Sequence, residues 1–223
     1  MASKFEKALA SAQASKGGAQ ILEEMLPKVK SARALAKIGD DRYLAEMSKC
    51  VFRAGFVWRV VENKWPGFEQ VFAKFNPDWI AMQPAEKLEE IAQDERIIRN
   101  FTKVKSVYAN AIFIRDVRAK HGSFGKFLAA WPVEDIVGLW SYLKKHASRL
   151  GGSSGPYFLR FVGKDTFLVT DHVIAALNQY GLTTQNKFTS QKALRDLQGL
   201  FNDLRAETGR SHAEISRILA CSV

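Results

Sequence analysis

The stretch from Arg149 to Leu177, RLGGSSGPYFLRFVGKDTFLVTDHVIAAL, constrains this chain more than any other. It runs from a basic helix end through a Gly/Ser hairpin into a second short helix and then to an Asp-His pair. Glycines let a hairpin backbone approach a phosphate without clash. The N–H groups that open the following helix then meet the anion with the positive end of the helix dipole. A carboxylate, Asp171, follows sixteen residues after the last hairpin glycine, Gly155. A phosphate anchor followed by an acid points to chemistry on a nucleic acid.

Charge agrees with that direction. Lys and Arg exceed Asp and Glu by 33 to 23, a net charge of +10 over 223 residues, which favours a polyanionic partner. The two cysteines, Cys50 and Cys221, lie far apart and form no Cys-x-x-Cys pair, so neither a zinc ribbon nor a disulfide scaffold is expected. The N-terminus has no apolar signal region, and no run approaches the ~18 apolar residues of a membrane span. The expectation is a soluble cytoplasmic protein with no membrane partner.

Periodicity predicts helices throughout. A short, loosely tethered helix is expected over residues 4–14, and one or two more over 19–37, broken near Pro27. Asp40 or Asp41 can cap a helix carrying Tyr43, Leu44, Met47 and Val51 on one face. Pro66, Pro77 and Pro84 suit first-turn positions. The longest periodic stretch is 97–120, and 134–149 forms the helix that enters the hairpin. Ser211 and Glu214 make a capping box for the last helix. Thr166–Val169 is the best strand candidate, too short for a sheet.

A second block of motifs lies upstream. Residues 51–58 read VFRAGFVW. Residues 74–112 contain Phe75-Asn76-Pro77, then Ile97-Ile98-Arg99-Asn100, Lys103 and Asn110-Ala111. With the later Asp171-His172-Val173, this order resembles bacterial DNA-3-methyladenine glycosylase I, within the helix-hairpin-helix superfamily of base-excision glycosylases. The resemblance spans roughly residues 40–177. It implies an all-α, two-lobed helix-hairpin-helix glycosylase fold over residues 40–223, with the hairpin at 150–155 and closing helices at 190–223. Residues 1–39 are then an N-terminal helical extension. The implied activity is excision of an alkylated purine such as 3-methyladenine from damaged duplex DNA, by base flipping and hydrolysis. The implied state is a monomer, with no cofactor.

The chain departs from that family at several places. The family's base-contacting glutamate falls on Cys50, and Glu46, one turn earlier, is the candidate replacement. The family's zinc site uses an early Cys and His, the histidine at His172 and a Cys four residues further on. Here that last position is Ala176, no Cys precedes Cys50 and no His precedes His121, so no metal site is expected. The early aromatic segment that lines the family's pocket is replaced by a Lys/Ala-rich region. The segment around Asp171 also resembles the catalytic-aspartate segment of broader superfamily members.

Each candidate residue has a role. Asp171 is the carboxylate that would stabilise positive charge building on the sugar; it also fits a helix N-cap, with Thr170 as the alternative cap. Trp58 and Phe56 lead the base pocket through stacking and cation–π attraction, with Phe52, Tyr157, Glu46 and Cys50 behind them. Ser153, Ser154 and Gly155 would hold phosphate, helped by Lys144, Lys145, Arg149 and Lys164. Arg99, Asn100 and Lys103 either touch DNA or brace the fold. Lyase members of the superfamily carry a lysine just after the hairpin; Pro156, Tyr157, Phe158 and Leu159 stand there instead, which implies a monofunctional enzyme. Two other readings remain open: a non-catalytic DNA-binding protein, and a glycosylase for a different lesion. The hairpin raises one question of its own. Ser153 occupies a place where the usual pattern has glycine, and a left-handed serine would cost roughly 1 kcal/mol or more.

Overall fold

In a computed structural model that describes residues 2–223, the chain forms fourteen α-helices and two short 3-10 turns, with no strand among the described residues. In chain order the helices are α1 (Lys4–Lys16), α2 (Ala19–Glu24), α3 (Ala32–Ala36), α4 (Asp40–Arg53), α5 (Trp58–Val71), α6 (Pro77–Ala81) and α7 (Ala85–Gln93). They continue with α8 (Phe101–His121), α9 (Phe124–Ala130), α10 (Ile136–His146), α11 (Ser154–Val162), α12 (Asp171–Gln179), α13 (Gln191–Thr208) and α14 (His212–Cys221). They group into two compact units. One comprises residues 1–29, 132–138 and 163–223; the other comprises 30–131 and 139–162.

The first unit joins both ends of the chain. Helix α1 is an integral part of it rather than loosely tethered. A Ser3/Glu6 capping box starts it, and Phe5, Ala8 and Ala12 form a buried stripe packed on α14. Ser11 and Ser15 donate hydroxyl hydrogen bonds to the carbonyls of Ser222 and Cys221, at 3.0 and 2.6 Å. The segment 166–169, the best strand candidate, is irregular rather than a strand, with Thr166 and Phe167 buried. Its Phe167 stacks on Phe201 at 4.2 Å between centroids. The Ser211/Glu214 capping box forms as expected, and Asp165 adds a second cap to α14 by accepting from His212 N and Ala213 N.

The second unit carries α3 to α9, most of α10, and α11. Helix α4 packs against α8 and α11, and Tyr43 in its first turn touches Phe124 and Phe158 edge-on. The Tyr43 hydroxyl donates to the Leu35 carbonyl at 2.8 Å. Gly39, not Asp40 or Asp41, occupies the α4 N-cap, because the Asp40 carboxylate accepts instead from Phe124 N. Pro77 opens α6 as expected, and Pro84 is the residue before α7. Pro66 differs: α5 begins at Trp58 and runs through it. The next residue, Gly67, lies where an added Cβ would fall 2.3 Å from the Arg96 carbonyl oxygen, so the 94–96 loop closes directly onto this helix.

Candidate functional site

The hairpin is built by local rules. Helix α10 ends at His146, and Arg149 then takes a left-handed conformation, φ +62°. For a non-glycine residue that costs on the order of 1 kcal/mol. Asn110, fully buried on α8, holds the approach to this turn. Its amide accepts from Ser148 N at 2.7 Å and donates to the Ser148 carbonyl at 3.1 Å. Gly152 carries the next left-handed turn, φ +57°. Ser153 does not need positive φ, so the serine there is unstrained. Gly155 is required for a different reason: an added Cβ would stand 2.6 Å from the Leu150 carbonyl oxygen.

A cavity of about 410 Å³ opens beside this hairpin. One wall is the α4–α5 connection, from Cys50 through Ala54, Gly55, Phe56 and Val57 to Trp58. The other is the hairpin and α11, through Ser153, Ser154, Tyr157 and Phe161. Trp58 meets Tyr157 and Phe161 edge-on, with centroids 5.8 and 6.0 Å apart. Of the pocket residues expected from the sequence, Trp58, Phe56, Tyr157 and Cys50 line this cavity. Phe52 does not. It is fully buried and packs edge-on against Phe68 at 4.6 Å, as part of the core.

Glu46 is also absent from the wall. Its carboxylate lies within α4, 3.8 Å from the Cys50 sulfur and 3.5 Å from the Arg53 guanidinium. Burial raises its pKa, against the opposing pull of Arg53 and Lys49. Burial likewise pushes the Cys50 thiol well up, so it stays protonated and is no nucleophile.

Two residues that line the cavity were missed in the sequence, Arg53 and Phe161. The Arg53 guanidinium lines the cavity with its carbon 5.0 Å from the Trp58 ring centroid and 4.9 Å from that of Phe161. Glu62 accepts from its Nε at 3.2 Å and more closely from Nη2, and Lys49 closes the network on Glu62 at 2.6 Å. Arg53 immediately precedes the Ala-Gly dipeptide, but its aromatic partner Phe161 lies over a hundred residues away in sequence, which hides the pairing.

The string from Asn100 to Asn110 turns out to be bracing. Asn100 caps α8 by accepting from Lys103 N. Lys103 is buried, and its ammonium donates to the carbonyls of Phe52 and Ala54 at 3.1 and 2.7 Å. It lies 4.4 Å from the Phe56 ring centroid. One face of α8 therefore fixes both cavity walls through their backbones, Lys103 at the end of α4 and Asn110 at the hairpin. Arg99 is exposed and pairs with Glu95 at 3.6 Å. Lys144, Lys145 and Arg149 are exposed near the hairpin. Lys164 is buried, and burial lowers its pKa, so it is no surface phosphate contact.

In the first unit, Thr170 takes the α12 cap by accepting from Val173 N at 3.3 Å. Asp171 becomes the first helical residue, with its side chain exposed and released from capping. His172 is exposed beside it. The family's zinc site does not fit these residues. Ala176 offers no donor, Cys50 and Cys221 are both buried, and no group of three potential ligands converges among the described residues. No helix among them is long and apolar enough to cross a membrane.

The profile of the methyladenine glycosylase family matches residues 35–150, just over half of the sequence. The chain belongs to the methyladenine glycosylase family. Solved structures agree at the level of fold. A 3-methyladenine DNA glycosylase I is 20% identical with a TM-score of 0.50, covering 64% of this chain and 86% of its own. The 8-oxoguanine DNA glycosylase of Methanocaldococcus jannaschii is 14% identical with a TM-score of 0.58, covering 93% and 89%. That of Thermotoga maritima is 18% identical with a TM-score of 0.55, covering 96% and 95%. The family member is thus an all-α helix-hairpin-helix DNA glycosylase fold.

Proposed function

We propose that the chain is a monofunctional DNA N-glycosylase. It grips damaged duplex DNA at the 150–155 hairpin, takes a flipped base into the Trp58 cavity and hydrolyses the N-glycosidic bond. The observation that carries this reading is the sharing of Ser153 and Ser154 between anchor and cavity. The element suited to hold a phosphate is also a wall of an aromatic slot of base size. Flipping costs a few kcal/mol, which contacts of a base with Trp58 and Tyr157 can offset. Related folds include a glycosylase solved with DNA containing 8-oxoguanine, which supports DNA as the partner.

Asp171 is the proposed catalytic carboxylate. Cleavage leaves positive charge on the sugar, and a nearby carboxylate stabilises it. The capping role belongs to Thr170, so Asp171 is available for chemistry. Asp171→Asn should therefore slow base release about 10- to 1000-fold, on the order of 1.4–4 kcal/mol, with melting and DNA affinity near wild type. The assay is chromatography of bases released from methylated, oxidised and deaminated duplexes. Wild-type release by Asp171→Asn would remove Asp171 from the mechanism.

The second reading, a DNA-binding protein without catalysis, draws on Cys50 standing where the family has its base-contacting glutamate. It predicts tight hairpin-dependent binding with no base released from any of these duplexes.

A further inference from the structure

The alkylated-purine specificity suggested by the sequence depends on open aromatic faces for a cationic base. In this cavity Trp58 and Phe161 already meet a cation. The Arg53 guanidinium lies 5.0 Å from the Trp58 centroid and 4.9 Å from that of Phe161, held by Glu62 and Glu46. Neither glutamate lines the cavity, so Arg53 is the charged side chain on its wall. A second cation would face a partly buried like charge, where repulsion is far stronger than in water.

The hydrogen-bonding character of the wall points the same way. Its side chains offer the Arg53 N–H groups left over from its bonds to Glu62 and Glu46, and the hydroxyls of Ser153, Ser154 and Tyr157. No carboxylate is among them. A wall rich in donors and lacking a carboxylate complements a base edge made of acceptors.

We propose that Arg53 determines the lesion class: the cavity takes a neutral base presenting carbonyl oxygens, oxidised or deaminated, and turns away cationic alkylated purines. This rests on the cavity being the base pocket. Duplexes carrying 8-oxoguanine or hypoxanthine are to be compared with duplexes carrying 7-methylguanine, using wild type, Arg53→Gln and Arg53→Lys. Wild type should release at least one neutral base tenfold or more faster than 7-methylguanine. Arg53→Gln should reduce that ratio at least tenfold, and Arg53→Lys, which keeps the charge but not the planar fork, should still disfavour the cation. Equal or faster release of 7-methylguanine by wild type would overturn the proposal.

Binding is read separately, from the shift of the Trp58 indole N–H resonance on adding inosine or the cationic 1-methyladenosine. This arm needs no catalysis, so an inactive protein would sink the enzymatic reading alone. A larger response to inosine, lost in Arg53→Gln, supports the selection role. A response to 1-methyladenosine equal to or above that to inosine refutes it.

Discussion

Replacing Lys103 with methionine tests whether the α8 string builds the cavity or touches DNA. Methionine keeps the unbranched chain and most of its volume, so the main loss is the ammonium. Two carbonyls lose a charged donor, those of Phe52 and Ala54. Ala54 is exposed, and water can replace its partner at little cost. Phe52 is fully buried, and its carbonyl is left unsatisfied, at about 1–3 kcal/mol. Relief from burying an ammonium offsets part of this, because burial already lowers the Lys103 pKa. The net expectation is smaller, about 0.5–2 kcal/mol, or a fall in Tm of roughly 1–8 °C for a chain of this length. The salt dependence of DNA binding should not change. A variant that melts like wild type and flattens the slope of log K against log salt by about one unit would refute the bracing role and make Lys103 a phosphate contact.

Two further outcomes are expected. Lys144→Ala with Lys145→Ala should weaken binding to all duplexes alike and reduce the salt slope by up to about one unit per true phosphate contact; an unchanged slope would take both lysines out of the interface. His212 is fully buried, neither ring nitrogen has a hydrogen-bond partner among the described residues, and burial holds its pKa below the ordinary 6.5. A neutral histidine of this kind contributes stability that is complete above about pH 6.5 and declines as pH falls from there through the lower folded value. His212→Leu should therefore lose less Tm than wild type between pH 7 and pH 5, and parallel losses would show that His212 is not held neutral.

Much of this was readable wherever the cause is local. Gly122 ending α8, the Ser211/Glu214 box and the hairpin at 150–155 follow from backbone requirements of single residues. The error at α1 was one of weighting. The Lys16-Gly17-Gly18 link suggested a loosely tethered helix, while Phe5, Ala8 and Ala12 already marked one buried face. Lys103 and Asn110 stand seven apart on one helix and so share a face, a signal that two polar residues point at one neighbour. Which neighbour is a tertiary fact. The burial of Lys164 and His212, and the pairing of Arg53 with Phe161, depend on chain segments distant in sequence, which periodicity does not register.

The division of labour in the second unit bears on how lesion choice can change while the fold persists. Lys103 and Asn110 grip main-chain groups, the carbonyls of Phe52 and Ala54 and both groups of Ser148. Such bonds are indifferent to the side chains borne by the wall. Cys50 and Arg53, on the last turn of α4, can thus differ from a relative's residues without disturbing the backbone that carries them. Specificity then resides in side chains set on a braced frame. Arg53 adds one constraint, since its charge must be matched nearby, and Glu62 with Glu46 supplies the match outside the cavity. A change at Arg53 should consequently be felt twice: in the base that is accepted, and in two partly exposed carboxylates left without their shared cation.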